Sequence, residues 1–427
     1  MSDINHKKTI FPNGLRYIFI PRPQSLATTV LVLVAAGSEY ETKDISGVSH
    51  FLEHLCFKGT TKRPKSGLIA SELDALGARY NAFTANEMTG YFAKAANKNF
   101  ERILEIVADL YLHPTIDQGE MDKERGVILE EINMYEDLPM EKVKENFSEL
   151  LYGDQPAGWS VAGDKEVIRK IKREDVVAYR GKHYLASKTT VVVCGGIEED
   201  PEKIVWKHFE SMPQGEALKK EKTVDEQSEP QIDLRTKQTD QFHLVLGSRG
   251  IDIFDPRRYA LALIAEILGG GMSSRMFVKI RDEMGAAYYV RSGTDESSDH
   301  GSIFVAAGID RSKTTEVCRA ILAEFEDLKT NLVSDDELAK AKEHLSGNLI
   351  LQLETSDDIA LFFGSEEIVT GKVLAPAEAL QKIKEVTPED IRSLAREIFQ
   401  KNRLNLAAIG PDFEEKALRD ILQSTKI

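Results

Sequence analysis

Residues 117–132, DQGEMDKERGVILEEI, return in altered form 217 positions later as residues 334–349, SDDELAKAKEHLSGNL. Two further segments keep almost the same spacing. Lys172-Arg173-Glu174-Asp175 pairs with Thr387-Pro388-Glu389-Asp390 at an offset of 215, and Cys194-Gly195-Gly196 pairs with Ala408-Ile409-Gly410 at 214. Near-constant offsets over about eighty residues mark an internal duplication, so the unit formed by the first half should be repeated by the second.

The order of elements agrees. Gly14–Ile20 and Thr28–Val34 are β-branched and aromatic runs bounded by Pro and Gly, the pattern of two strands meeting at a turn near Pro21–Pro23. A helical block starts near Ile45, Tyr80–Thr84 and Met88–Ala96 read as a strand pair, and helical periodicity covers about Asn99–Leu112 and Gln118–Glu136. Val191–Val193 closes the half as a strand. A polar, charged stretch follows between Pro213 and Pro230, PQGEALKKEKTVDEQSEP, and then the order recurs. It runs through strand Phe242–Leu246, helix Tyr259–Leu268, strands Ala287–Ser292 and Ile303–Ala307, several helices, and a last strand, Leu404–Ile409. The expected architecture is α+β, with two duplicated domains at residues 1–213 and 233–427 and a linker at 214–232. Each domain should be a mixed, largely antiparallel sheet covered by helices.

The 427-residue chain is 42% hydrophobic and 29% charged, enough apolar mass for more than one core. Its formal net charge of −15 repels polyanions and sets nucleic acid aside as a partner. If acidic residues line a cavity, the same charge favours basic peptides. Cys56, Cys194 and Cys318 are too scattered for a disulfide framework or a CxxC site, which points to a reducing compartment. The amino terminus lacks an apolar h-region, and the longest apolar stretch, Val30–Ala36, falls far short of the roughly 20 residues of a membrane helix. The expectation is a soluble cytoplasmic protein with no membrane partner.

The chemistry concentrates in Val48-Ser49-His50-Phe51-Leu52-Glu53-His54-Leu55. At this composition a His-x-x-acid-His string arises by chance about 0.03 times per chain. On a helix, Val48, Phe51, Leu52 and Leu55 form one apolar stripe, while His50, Glu53 and His54 share the opposite face. Imidazoles four residues apart can hold one metal ion, and Glu53 then sits beside it. Two histidines need a third ligand. In Glu120–Glu136, Glu124 and Glu131 fall two turns apart among Met121, Val127, Ile128, Ile132 and Tyr135, whereas Glu130 falls with Gly126, Asn133 and Asp137 and should face solvent. Carboxylates on an apolar face need a cation or strong donors, so Glu131 is a candidate ligand or a buried ion pair. Glu124 is a candidate for direct ligation or for a supporting bond.

His50-Phe51-Leu52-Glu53-His54 followed by Phe57-Lys58-Gly59-Thr60 resembles the inverted zinc motif of the pitrilysin-type metallopeptidases, the inverzincins. The resemblance extends through Asn81-Ala82-Phe83-Thr84 with Glu87, Thr89 and Tyr91, and through Glu124–Glu131. It continues as Leu268-Gly269-Gly270-Gly271-Met272-Ser273-Ser274-Arg275-Met276-Phe277 and Arg281-Asp282-Glu283-Met284-Gly285-Ala286-Ala287-Tyr288. Order and spacing match over nearly the whole chain, most like the two-domain bacterial members that are similar to the beta subunit of mitochondrial processing peptidase.

The resemblance implies a zinc-dependent endopeptidase with one Zn2+ per chain, held by His50, His54 and Glu131. It implies Glu53 as general base, Glu124 as support, and Asn81, Ala82 and Phe83 as an edge strand to which the substrate backbone adds. Arg281 and Tyr288, seven residues apart, resemble the pair that reaches the substrate carbonyl from the domain without zinc. Cys56 replaces a larger apolar residue such as Met and is expected to be buried and inert. The second half has no HxxEH, so His243, His300 and His344 read as structural or surface residues. Gly269–Gly271 reads as a helix-ending turn, with a hinge or substrate contact as the other reading. Because the family builds a closed chamber from four such domains, two domains imply a homodimer, or a heterodimer with a related chain, acting on peptides or unstructured segments. The rival readings are a non-catalytic peptide-binding or assembly subunit and an unrelated zinc hydrolase of small molecules.

Overall fold

The computed structural model describes residues 4–216 and 218–425; residues 1–3, residue 217 inside the expected linker, and residues 426 and 427 lie outside the described residues. The chain divides into two compact units that alternate along the sequence. One holds the residues up to 132 together with 159–221 and 349–378, and the other holds 133–158, 222–348 and those from 379 onward.

The first unit is built on six strands, β1 (Lys7–Ile10), β2 (Arg16–Pro21), β3 (Ala27–Val34), β4 (Arg79–Thr84), β5 (Thr89–Ala96) and β6 (Thr189–Gly195), in the order β1-β2-β6-β3-β5-β4. The second has β7 (Gln231–Thr236), β8 (Phe242–Arg249), β9 (Ala287–Glu296), β10 (Gly301–Ile309) and β11 (Leu404–Gly410), in the order β7-β11-β8-β10-β9. Apart from β1, the two sheets have one plan. A parallel pair, β2/β6 or β7/β11, is followed by antiparallel neighbours throughout. Both units are α+β, and the duplication inferred from the sequence reappears as a shared topology.

β2 and β3 exist where expected and are joined by a turn in which the Ser25 N–H donates to the Arg22 carbonyl, but they do not pair with each other. β6 lies between them, parallel to β2 and antiparallel to β3. Its seven residues, TTVVVCG, are all buried, and a strand apolar on both faces belongs in the interior of a sheet covered on both sides.

Alternation along the strands sorts the first core into two layers. Tyr17, Phe19, Val30, Val32, Val191 and Val193 face one side with the Val48–Cys56 and Phe100–Leu112 helices. Ile18, Ile20, Leu31, Leu33, Val192 and Cys194 face the other, beneath Ile359, Ala360 and Phe363 of the Ser356–Thr370 helix. Helix and sheet approach closely at Gly364, where a Cβ would stand 2.6 Å from a Leu33 methyl carbon. In the second unit the corresponding face, with Val245, Ala306 and Ala407, packs against Val143, Phe147 and Leu151 of the Pro139–Tyr152 helix.

Those two helices begin 217 residues apart, the duplication offset. Each half of the sequence therefore supplies the helix that covers the other half's sheet. This corrects the expected boundaries: neither 1–213 nor 233–427 is a self-contained unit, because cutting there removes the helix over one face of each sheet. Phe363, at 0% exposure, is worth roughly 1.5–3 kcal/mol to the first unit. The expected linker also ends early, at β7, which starts at Gln231.

No helix among the described residues is long and apolar enough to cross a membrane.

Candidate metal centre and active site

The Val48–Cys56 helix follows Gly47, whose φ is +92°. Val48, Phe51 and Leu52 are at 0% exposure and Leu55 at 1%, so the apolar stripe is the core-facing side. The opposite face is partly covered: His50 is buried and Glu53 and His54 half-buried.

The Gln118–Glu136 helix supplies the partners. His50 Nε2 and His54 Nε2 lie 3.6 and 3.5 Å from the same Glu131 oxygen, Oε2. The two rings stand 4.7 Å apart at 79°. Ligand atoms about 2.0–2.1 Å from a tetrahedral zinc ion are roughly 3.4 Å from one another. Two imidazole nitrogens and a carboxylate oxygen at these separations fit such an ion, and the donor set is one zinc accepts. Burial, helped by the neighbouring His54, pushes the His50 imidazole down to about 4 and keeps it in the neutral, ligating form.

Glu124 sits on the far side of His54. Its Oε2 is 3.1 Å from His54 Nδ1 and its Oε1 is 2.7 Å from Lys58 Nζ. A carboxylate on Nδ1 fixes the ring and leaves Nε2 for the metal, so the geometry is that of a supporting bond. The rest of the helix follows its amphipathic reading, with Met121, Ile128 and Ile132 buried and Glu130 exposed. Val127 is the exception and a correction: it is 50% exposed, outside the apolar face to which the wheel assigned it.

Glu53 lies on the same face of its helix as His50 and His54, where Thr84 Oγ1 donates a 2.6 Å hydrogen bond to its Oε2. Burial raises the Glu53 carboxyl above its ordinary value; the Thr84 bond and nearby His54 act against this. Thr84 ends β4, which is an edge strand paired to β5. Tyr80 and Ala82 face the layer of the HxxEH helix, while Phe83 packs on the other face and Asn81 is exposed. Cys56 is fully buried with Sγ 3.5 Å from the Tyr91 hydroxyl, and burial pushes its thiol up to about 11, so it is outside the metal cluster.

Three contacts escaped the sequence reading. Lys58 and Thr84 stood within the recognised motifs, but their bonds to Glu124 and Glu53 depend on tertiary geometry. The third is Lys220 of the expected linker, whose side chain is only 8% exposed and bridges Glu39 and Glu87. Glu39 N–H also donates to the carbonyl of Asn86, so this linker lysine secures the turn joining β4 to β5.

In the second unit, Arg281 lies in a π-helical segment, Phe277–Glu283, and donates a 3.0 Å bond to the backbone carbonyl of Tyr288. Tyr288, on edge strand β9, is 74% exposed. His243 contacts the Tyr289 hydroxyl, His300 contacts Asp299, and His344 contacts Glu266. The Arg258–Gly269 helix ends where expected, and a Cβ on Gly269 would meet Ser292 N of β9 at 2.5 Å.

Comparison with known proteins covers nearly the whole chain. Residues 17–165 match the family described as Insulinase (Peptidase family M16), and residues 170–345 match Peptidase M16 inactive domain. The "Uncharacterized zinc protease YmxG" of Bacillus subtilis is 32% identical over 406 residues, 95% of this chain and 98% of that protein. An "Uncharacterized zinc protease" of Rickettsia felis is 32% identical over 404 residues, 94% of this chain and 96% of that one. Among solved structures, a protease from Helicobacter pylori superposes with a TM-score of 0.88 at 23% identity, covering 96% of this chain and all of that one. A peptidase M16 inactive domain from Pseudomonas fluorescens superposes with a TM-score of 0.87 at 21% identity, covering 96% and 98%. At those identities the two structures speak to the fold alone.

Proposed function

The chain belongs to the insulinase-type M16 peptidase family, and from that premise we propose that it is a zinc-dependent endopeptidase acting on peptides or unfolded segments. One observation carries the proposal: two imidazole nitrogens and the Glu131 carboxylate converge at 3.5–3.6 Å, with the Glu53 carboxylate beside them on the same helix face. Relatives named as zinc proteases agree with it.

His50, His54 and Glu131 would hold one zinc per chain, with Glu124 fixing His54. A bound zinc ion supplies Lewis acidity and brings the pKa of a water toward about 7. Glu53 accepts the proton from the attacking water and returns it to the leaving amine; a carboxyl raised by burial is better matched to that two-way task near neutral pH. Thr84 holds one Glu53 oxygen and leaves the other for the proton. Edge strand β4, through Asn81, Ala82 and Phe83, offers backbone groups to which an extended peptide adds as a strand, a mode that tolerates many sequences. The intact constellation favours this over a non-catalytic subunit. A peptide library digested by the protein and read by mass spectrometry should show internal cuts that a chelator abolishes and zinc restores. Cleavage unchanged by chelator, or no cleavage by zinc-loaded protein, would overturn the proposal.

We further propose a homodimer, forming a chamber, in which Arg281 and Tyr288 of one chain donate to the carbonyl oxygen at the partner's zinc site, as preorganised stabilisation of developing charge requires. The exposure of Tyr288 and its tie to Arg281 support this. Mixing Glu53→Gln chains with Tyr288→Phe chains should restore part of the activity that each lacks alone. No recovery in a proven mixed dimer would contradict action in trans, and light scattering that shows a monomer would contradict the dimer. The three buried thiols, Cys56, Cys194 and Cys318, fit a reducing cytoplasmic location.

A further inference from the structure

We propose that Glu41 is a positioning residue for the metal centre: its carboxylate caps the Val48–Cys56 helix in place of Gly47 and thereby sets where His50 stands. The inference rests on the zinc-peptidase reading above.

A helix begins with backbone N–H groups that have no partner within it, and Ser, Thr, Asp or Asn at the cap usually serves them. Here the cap is Gly47, which has no side chain to offer. Nor could another residue stand there. The left-handed φ of +92° disfavours it, and a Cβ would meet Gly163 Cα at 2.8 Å and Ile168 Cδ1 at 2.7 Å.

The cap comes instead from outside the helix. Glu41 Oε2 accepts the Gly47 N–H at 2.6 Å and Oε1 accepts the Ser49 N–H at 2.8 Å. Glu41 is only 4% exposed, and a carboxylate buried so deeply is costly unless strong donors serve it. Burial pushes its carboxyl up to about 8 even against the lowering effect of its bonds to Gly47 and Ser49; the positive field of a helix N-terminus favours the anion, the form that accepts at both oxygens. Ser49 Oγ adds a 2.8 Å bond to the Tyr179 hydroxyl, which donates to the Gly37 carbonyl.

The functional weight comes from the difference between the two histidines. His54 is held at Nδ1 by Glu124, whereas His50 Nδ1 is buried and has no hydrogen-bond partner among the described residues. No side-chain bond at that nitrogen orients the His50 ring. Its place is set by the backbone that carries it, and the residue before it, Ser49, is one of the two that Glu41 grips.

Competition with a fluorescent chelator gives the zinc affinity of the full-length chain without reference to activity. Glu41→Gln, which exchanges one acceptor oxygen for a donor, should lose about 10–100-fold in zinc affinity, the range found when groups behind metal ligands are removed. The shorter Glu41→Asp keeps the charge and should fall between the two, and it decides the matter if Glu41→Gln does not fold. Tyr179→Phe leaves both Glu41 bonds in place and should bind zinc as the parent does. Parent-like zinc affinity in the folded Glu41 variants, even with a lowered melting temperature, would overturn the positioning role and leave the proposed function standing. A parent chain that binds no zinc would overturn both.

Discussion

Glu53→Gln should lower kcat by about 10²–10⁴-fold, the contribution of a positioned general base, while the protein still binds one zinc per chain. Glutamine matches glutamate in shape, and its carbonyl oxygen can accept the Thr84 hydroxyl as the carboxylate does at 2.6 Å. What is lost is the capacity to take a proton. Glu53 is outside the His50, His54 and Glu131 cluster, so the ion should stay bound. KM should hold, because strand addition at β4 does not use this side chain. Steady-state kinetics on an internally quenched peptide, with metal content on the same sample, checks the prediction; a variant with near-parental kcat would remove Glu53 from the chemistry.

His54→Ala should be the more damaging change, since it removes a ligand and releases Glu124 from its task. Zinc affinity should fall by more than the about 10–100-fold typical of a supporting residue, and peptide cleavage should fall to background. Thermal melts read the same loss another way. A ligand at 100 times its Kd stabilises the native state by about 2.7 kcal/mol, so zinc should raise the melting temperature of the parent and not that of His54→Ala. An equal rise in both proteins would mean that the ion binds elsewhere. Glu124→Gln should act more mildly, because its one carbonyl oxygen can still accept from His54 Nδ1, while the bond to Lys58 Nζ, 2.7 Å from Glu124 Oε1, is the one lost.

The Val48–Cys56 helix was legible because its two faces have different chemistry over only eight residues. Val48, Phe51, Leu52 and Leu55 announce a core side, and His50, Glu53 and His54 can then only lie opposite. Glu131 was legible for a related reason, as an acid within an apolar period. The duplication was legible from offsets, and the matching strand orders are its consequence.

What escaped was long-range. No local signal says that β6 inserts between β2 and β3, since pairing partners depend on where a buried strand can hide both faces. Nor does any say that the Pro139–Tyr152 and Ser356–Thr370 helices each cover the sheet of the other half. β1 and β7 were missed because edge strands need little apolar content; LysLysThrIle and GlnIleAspLeuArgThr contain too few large hydrophobic side chains to stand out. Glu41 was missed for a third reason: a cap supplied across a loop leaves only a glycine where the usual capping residue would be.

The central claim is that His50, His54 and Glu131 hold a zinc ion in the centre that performs peptide hydrolysis. Crystals of the full-length protein, grown from zinc-replete material and measured on both sides of the zinc absorption edge, test it most directly. One anomalous peak per chain is expected, about 2 Å from His50 Nε2, His54 Nε2 and a Glu131 oxygen. A chain that takes up no zinc, or a peak bound by other residues, would contradict the claim.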